Sequence, residues 1–148
     1  MRDHCMYDYA IIRVIPRVER EEFVNVGVIV SCPAKGFLEA RLQLDEQRLL
    51  ALDATLDIAT VRDHLEAIPT ICAGGEQAGP IGQLSQRERF RWLVAPRSTT
   101  IQISPVHTGC CKNPTVVLEH LLDTMVRPSR AASLTVETGS VGASENGK

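Results

Sequence analysis

Three closely spaced stretches constrain the fold more than anything else in the chain. They are YDYAIIRVIP (Tyr7 to Pro16), FVNVGVIVSC (Phe23 to Cys32) and FLEARLQL (Phe37 to Leu44). The first two are rich in β-branched residues and the third alternates apolar with polar ones, so all three are predicted strands. The short connection holding Pro33 and Gly36 makes the second and third a hairpin. Because side chains alternate between faces, register can be tested by parity. With the first turn centred on Glu19, Val14 pairs with Val24, Ile12 with Val26 and Ala10 with Val28. With the second centred on Ala34, Val30 pairs with Leu38, Val28 with Ala40 and Val26 with Leu42. Every member is apolar, which predicts one face packed under helices. The opposite face then carries Tyr7, Tyr9, Ile11, Arg13, Asn25, Gly27, Ile29, Ser31, Glu39, Arg41 and Gln43.

Helices are expected to cover the apolar face. DEQRLLALD (Asp45 to Asp53) opens on a capping acid, and a second helix from Asp57 to about Ile68 aligns Ile58, Val61, Leu65 and Ile68, with Pro69 ending or kinking it. In LSQRERFRWLVAP, Ser85 and Glu88 form a capping box while Phe90, Trp92 and Val94 alternate as a strand would. The capping box favours a short helix ending before Pro96. TTIQIS (Thr99 to Ser104) is a fourth strand, followed by a loop of Pro, Gly and Cys. A last helix starts at the N-cap Asn113 and Pro114, with Val117, Leu118, Leu121, Leu122 and Met125 as its stripe. The fold class is therefore α+β: two layers, a mostly antiparallel sheet of about four strands, helices on one face.

The chain has 148 residues, a size that suits one domain. Residues 1–6 are expected to be a loose leader, 7–127 the domain, and 128–148 a disordered tail, because the last segment is rich in Ser, Gly, Ala and Thr without periodicity. Net charge is −2, which disfavours nucleic acid as a partner by global attraction. No apolar run approaches the roughly 18 to 20 residues of a membrane span. Five cysteines at irregular spacing and no secretory signal point to a cytoplasmic protein with reduced thiols.

Several constellations compete for a functional role. Arg13 lies mid-strand among apolar neighbours and needs a partner, with Asn25 and Glu39 at hand, while Gly27 leaves room for close approach. Arg97, Ser98 and Thr99 bring a guanidinium and hydroxyls together after Pro96, suited to a phosphate or carboxylate, though without a phosphate-loop pattern. Glu19, Glu21 and Glu22 sit on a hairpin tip, and His107 with Cys110 and Cys111 lacks a fourth ligand and a CxxC pair, so no metal site and no cofactor is assigned. Trp92 and Phe90 are expected in the core. His64 and His120 are expected in solvent. No GxSxG, HExxH, GxGxxG or kinase signature occurs.

Taken in order, YDYAIIRVIPRVEREEFVNVGVIV, FLEARLQLDEQRL and RFRWLVAPRSTTIQISPVHTG resemble the bacterial family known as domain of unknown function 3037, over roughly residues 7 to 126. The resemblance implies a small stand-alone protein of a kind often encoded beside a HipA-like serine/threonine kinase. It carries over Arg13, Arg17, Glu21, Asn25, Trp92, Arg97, Ser98 and His107 as the family's polar and aromatic positions. The expected function is a binding or accessory module for such a kinase, acting through Arg13, Arg17, Asn25, Arg41, Arg97, Ser98, Thr99 and His107. Two alternatives stay open. One is a nucleic-acid-binding or nucleic-acid-processing protein that uses Tyr7, Tyr9, Arg13 and Arg41 as a stacking platform. The other is an enzyme that holds a small anionic substrate on Arg97.

Overall fold

The chain folds around an antiparallel sheet built in the expected order, β1 (Cys5–Val14), β2 (Val24–Cys32) and β3 (Phe37–Leu42), with β2 between the other two. The computed structural model describes residues 4–97 and 99–128. β1 starts at Cys5, so the expected leader contributes its end to the sheet, and the expected tail lies, beyond Pro128, outside the described residues. The other edge of β1 is shared by two short strands, β4 (Ile101–Ile103) beside Ile12 to Val14 and β5 (His107–Cys111) beside Cys5 to Tyr9.

β5 replaces the loop expected after Ser104. Its sequence, HTGCC, has little strand propensity and follows Pro105, which cannot donate to a ladder. Ser104 bridges the interruption: its backbone N–H donates to the Ile11 carbonyl (2.9 Å), and its hydroxyl accepts from the Ile11 N–H (2.8 Å). The chain therefore re-enters the same edge of β1. Gly109 then leaves room for the Tyr7 ring, since a Cβ there would lie 2.5 Å from it.

The strand register departs from simple parity at one point. Val14 faces Val24 and Arg13 faces Asn25 as expected, but Ile12 faces Gly27, so Val26 is an extra residue in β2. Beyond this bulge Ile11 faces Val28 and Ala10 faces Ile29, one residue off the expected pairing. The β2–β3 register is also shifted by one, with Val28 facing Arg41 and Ile29 facing Ala40. Its cause is the turn, in which Pro33–Lys35 forms a 3-10 turn closed by Gly36 at φ +59°, so that Cys32 faces Phe37. The two shifts cancel for β3, whose Leu38, Ala40 and Leu42 pack with Ile12, Val14 and Val26 as expected. They do not cancel for β2, where Ile29 joins that layer and Val28 and Val30 pass to the other.

Helices cover both faces, not one. On the first face lie α1 (Glu46–Leu52), α2 (Ile58–Ala73), the short α3 (Gly79–Gly82) and α4 (Gln86–Val94). Leu49, Val61, Leu65, Ile68, Phe90 and Leu93 supply the contacts. The second face is covered by α5 (Pro114–Leu121) and the π-helical turn Leu122–Val126, through Leu118, Leu121, Leu122 and Val126 against Ile11, Val28 and Val30. Bulged β2 is apolar on both faces and would leave Val28 and Val30 in water without that second layer.

The caps follow the sequence closely. Asp45, Asp57, Ser85 and Asn113 each accept from a backbone N–H in the first turn, and Ser85 with Glu88 completes a capping box. Pro69 does not end α2, which continues to Ala73. A Pro inside a helix costs about 3 kcal/mol, but Ile68 before it and Ile71 and Cys72 after it are buried, and their packing outweighs that loss. The extended end is secured by Arg89, whose guanidinium donates to the carbonyls of Ile71 (3.0 Å) and Cys72 (2.5 Å).

Gly27 tests the bulge directly. A Cβ there would lie 2.7 Å from the Arg41 carbonyl oxygen and 2.8 Å from Leu42 Cδ2. Gly27→Ala is expected to destabilise the protein by about 1–3 kcal/mol in urea unfolding. An unchanged midpoint would contradict this packing.

Candidate functional site

The residues singled out from sequence do not form one site. Arg13 and Asn25 face each other across β1 and β2 beneath the π-helical turn. The Arg13 guanidinium lies 4.3 Å above the Phe23 ring, and its Nε is buried with no hydrogen-bond partner among the described residues. Asn25 donates from Nδ2 to the Met125 carbonyl (3.0 Å), one of the terminal carbonyls a helical turn leaves free, and its own Oδ1 is buried with no partner among the described residues.

Close by, Arg41 pairs with Glu119 of α5. Arg127 lies 3.7 Å from Glu119, 3.2 Å from Asp123 and, through Nε, 2.8 Å from Gln43 Oε1. These polar groups tie the last helix to the sheet. Tyr7 and Tyr9, the expected stacking residues, pack within the same covered layer.

Arg17 and His107 stand elsewhere. Arg17 Nε is 3.9 Å from Asp53 at the end of α1, while the His107 ring lies 5.2 Å from that of Tyr9, its cross-strand partner. On the hairpin tip, Arg20 Nε bonds Glu22 (2.5 Å) and Glu21 takes φ +58°. Among the described residues no three His, Cys, Asp or Glu side chains are arranged to hold a metal ion.

Arg97 and Thr99 belong to a different feature, a groove of about 500 Å³ between α2, the end of α4 and β4. Its floor is apolar, formed by Leu56, Val61, Ile68, Ile71 and Ile101, and its rim carries Asp57, Thr60, His64, Arg97 and Thr99. One wall is Trp92, expected in the core but 39% exposed. The Arg97 guanidinium is stacked 4.3 Å from the Trp92 ring and donates from Nη2 to the Trp92 carbonyl (2.9 Å). That arrangement satisfies the C-terminal end of α4 and holds a cation over an aromatic face. The Thr99 hydroxyl donates to the Ile101 carbonyl (2.7 Å), so it shapes the turn into β4. Ser98 lies outside the described residues.

Asp57 and His64 were not singled out for this role. Asp57 caps α2 and His64 lies on it, and both reach the rim only because the helix packs beside Trp92, a juxtaposition that no local motif encodes. The Thr60 hydroxyl, then the Thr60 N–H, hold the Asp57 carboxyl below its ordinary range, and Thr55 does the same for Asp53. Burial, partly offset by Arg89, pushes the Cys72 thiol up to about 12, so this cysteine is an inert core residue.

The arrangement is a three-layer α+β body whose described surface offers an apolar groove with a stacked Arg–Trp pair at its rim. The sequence profile of the family described as protein of unknown function (DUF3037) matches residues 9–126, and the chain belongs to that family. No curated protein and no solved structure matches it. No helix among the described residues is long and apolar enough to cross a membrane.

Two substitutions separate scaffold from site. Arg13→Met keeps the apolar stem on Phe23 and removes an unpartnered donor, so stability is expected to stay within about 1 kcal/mol or to rise. Arg13→Ala loses the packing as well and costs about 1–3 kcal/mol. Equal losses by denaturant titration would count against this reading. The lowered carboxyls at Asp57 and Asp53 contribute stability that is complete above the ordinary carboxylate range and is lost as pH falls through their folded values. Unfolding free energy is therefore expected to decline below about pH 4, and less steeply in Asp57→Asn, which keeps a capping oxygen but does not titrate.

Proposed function

We propose that this chain is a non-enzymatic binding module whose groove receives an extended apolar segment of a protein partner, in the first instance a HipA-like serine/threonine kinase. The observation that carries the reading is the exposed Trp92 under the Arg97 guanidinium at the edge of an apolar floor. Trp and Arg supply a large share of interface energy, and an apolar centre ringed by polar groups is the usual anatomy of a contact surface. β4 is the outer strand beside this groove, and Ile101 lines it, so an added strand would direct alternate side chains toward the floor. Arg97 favours a segment that carries a carboxylate next to its apolar anchor. The kinase expectation comes from the family's gene neighbourhood.

The polar sheet face supports neither this role nor base stacking, because α5 covers it. The test is co-expression with the neighbouring kinase, followed by titration of the purified pair. Trp92→Ala and Arg97→Ala are each expected to weaken binding by at least about 2 kcal/mol, roughly thirtyfold in Kd. Arg41→Ala, on the opposite face, should leave it unchanged. Absence of a complex, or full affinity in both groove variants, would reject the proposal.

A further inference from the structure

Irregular spacing conceals a grouping of cysteines that the sheet creates. Cys5 stands directly opposite Cys111 across β1 and β5, and Cys32 ends β2. Carrying the β1–β2 ladder one step past Asp8 and Ser31 sets Cys32 against Tyr7, two residues from Cys5. Tyr7 lies over Gly109, and Cys5 and Cys111 are each two residues along from that pair, so both share its face. Cys32 lies on this face too, because its partner Phe37 packs in the same layer. Cys32 and Cys111 are buried, Cys5 is half-buried and Cys110 is exposed.

We infer that Cys5 and Cys111 are an oxidisable dithiol, converted to a cross-strand disulfide by a small-molecule disulfide of the oxidised-glutathione kind. Residues directly opposite on antiparallel strands have Cα atoms about 4.5 or 5.5 Å apart, inside the window of about 4.4–6.8 Å that a disulfide requires. Cys32 sits on the diagonal from Cys5, near enough for the two thiols to interact, and is the rival partner that peptide mapping must exclude.

The Cys5 thiolate, the more accessible of the pair, attacks one sulfur of the small disulfide and releases one small thiol. Cys111 gives up its proton and attacks the Cys5 sulfur of the mixed disulfide, and the second small thiol leaves. Two protein S–H groups are oxidised and one small disulfide is reduced to two thiols, with protons balanced. Burial raises the Cys111 thiol, and the neighbouring Cys32 and Cys5 raise it further, so the second step is the slow one and accelerates with pH. The bond would fasten the start of β1 to β5, which leads through Lys112 into Asn113, the N-cap of α5. It would thereby restrain the lead-in to the helix over the second face.

The experiment uses the full chain carrying Cys110→Ser, which removes the exposed thiol, incubated with oxidised glutathione. Intact mass should fall by two hydrogens, peptide mapping should show Cys5 joined to Cys111, and the thermal midpoint should rise and return after reduction. Adding Cys32→Ser should leave all three readouts in place. A persistent glutathione adduct, a Cys5–Cys32 link, or unreacted thiols would each overturn the inference.

Discussion

Val26 and Gly27, two consecutive residues of β2, stand against the single step from Arg13 to Ile12 in β1, and the layering follows from that mismatch. An extra residue exchanges the two faces of a strand from that point onward. Upstream, Val24 and Val26 point to the α2 side. Downstream, Ile29 does so, while Val28 and Val30 turn to the other. Glycine serves here because the Arg41 carbonyl and the Leu42 side chain occupy the space a Cβ would take. A strand made apolar on both faces needs two covering layers, and α5 with its π-helical turn is the second.

That second layer explains why the most suspicious residue in the sequence is not the best candidate for a ligand contact. Arg13 is spread on Phe23 and lies beside Asn25, which caps the π-helical turn at Met125. Arg41, Gln43, Glu119 and Arg127 extend the same polar set along the junction of sheet and helix. Their chemistry is directional, and it orients α5 on an otherwise smooth aliphatic surface. Arg97 differs in kind. It satisfies a helix end through one nitrogen while its charge stays exposed at the mouth of a groove.

Local chemistry was the legible part of this molecule. The caps at Asp45, Asp57, Ser85 and Asn113, the three long strands and the antiparallel α+β class follow from residue type and spacing. What parity could not reveal was non-local. A bulge leaves no mark in a run as uniformly apolar as VNVGVIV beyond a glycine that also fits a plain strand. β5 was obscured because its pairing depends on Ser104 supplying a hydroxyl where Pro105 breaks the ladder. Trp92 reads as a core aromatic like Phe90, yet its side of α4 meets the groove rather than the sheet.

The groove and the thiol group occupy different faces of the sheet and different ends of β1. β4 adjoins β1 at Ile12 to Val14, and Cys5 is seven residues away from Ile12, about 23 Å along an extended strand. No side chain spans that distance, so a disulfide at Cys5 could reach the groove only through the backbone. Among the described elements β1 is paired with β2, β4 and β5 and so connects both places, alongside the short chain segment that leads from β4 through Ser104 into β5. Its central residues, Ala10 and Ile12, are fully buried and closely packed, a segment that resists deformation. Oxidation is therefore expected to act on α5 and its lead-in, while groove affinity stays independent of thiol state.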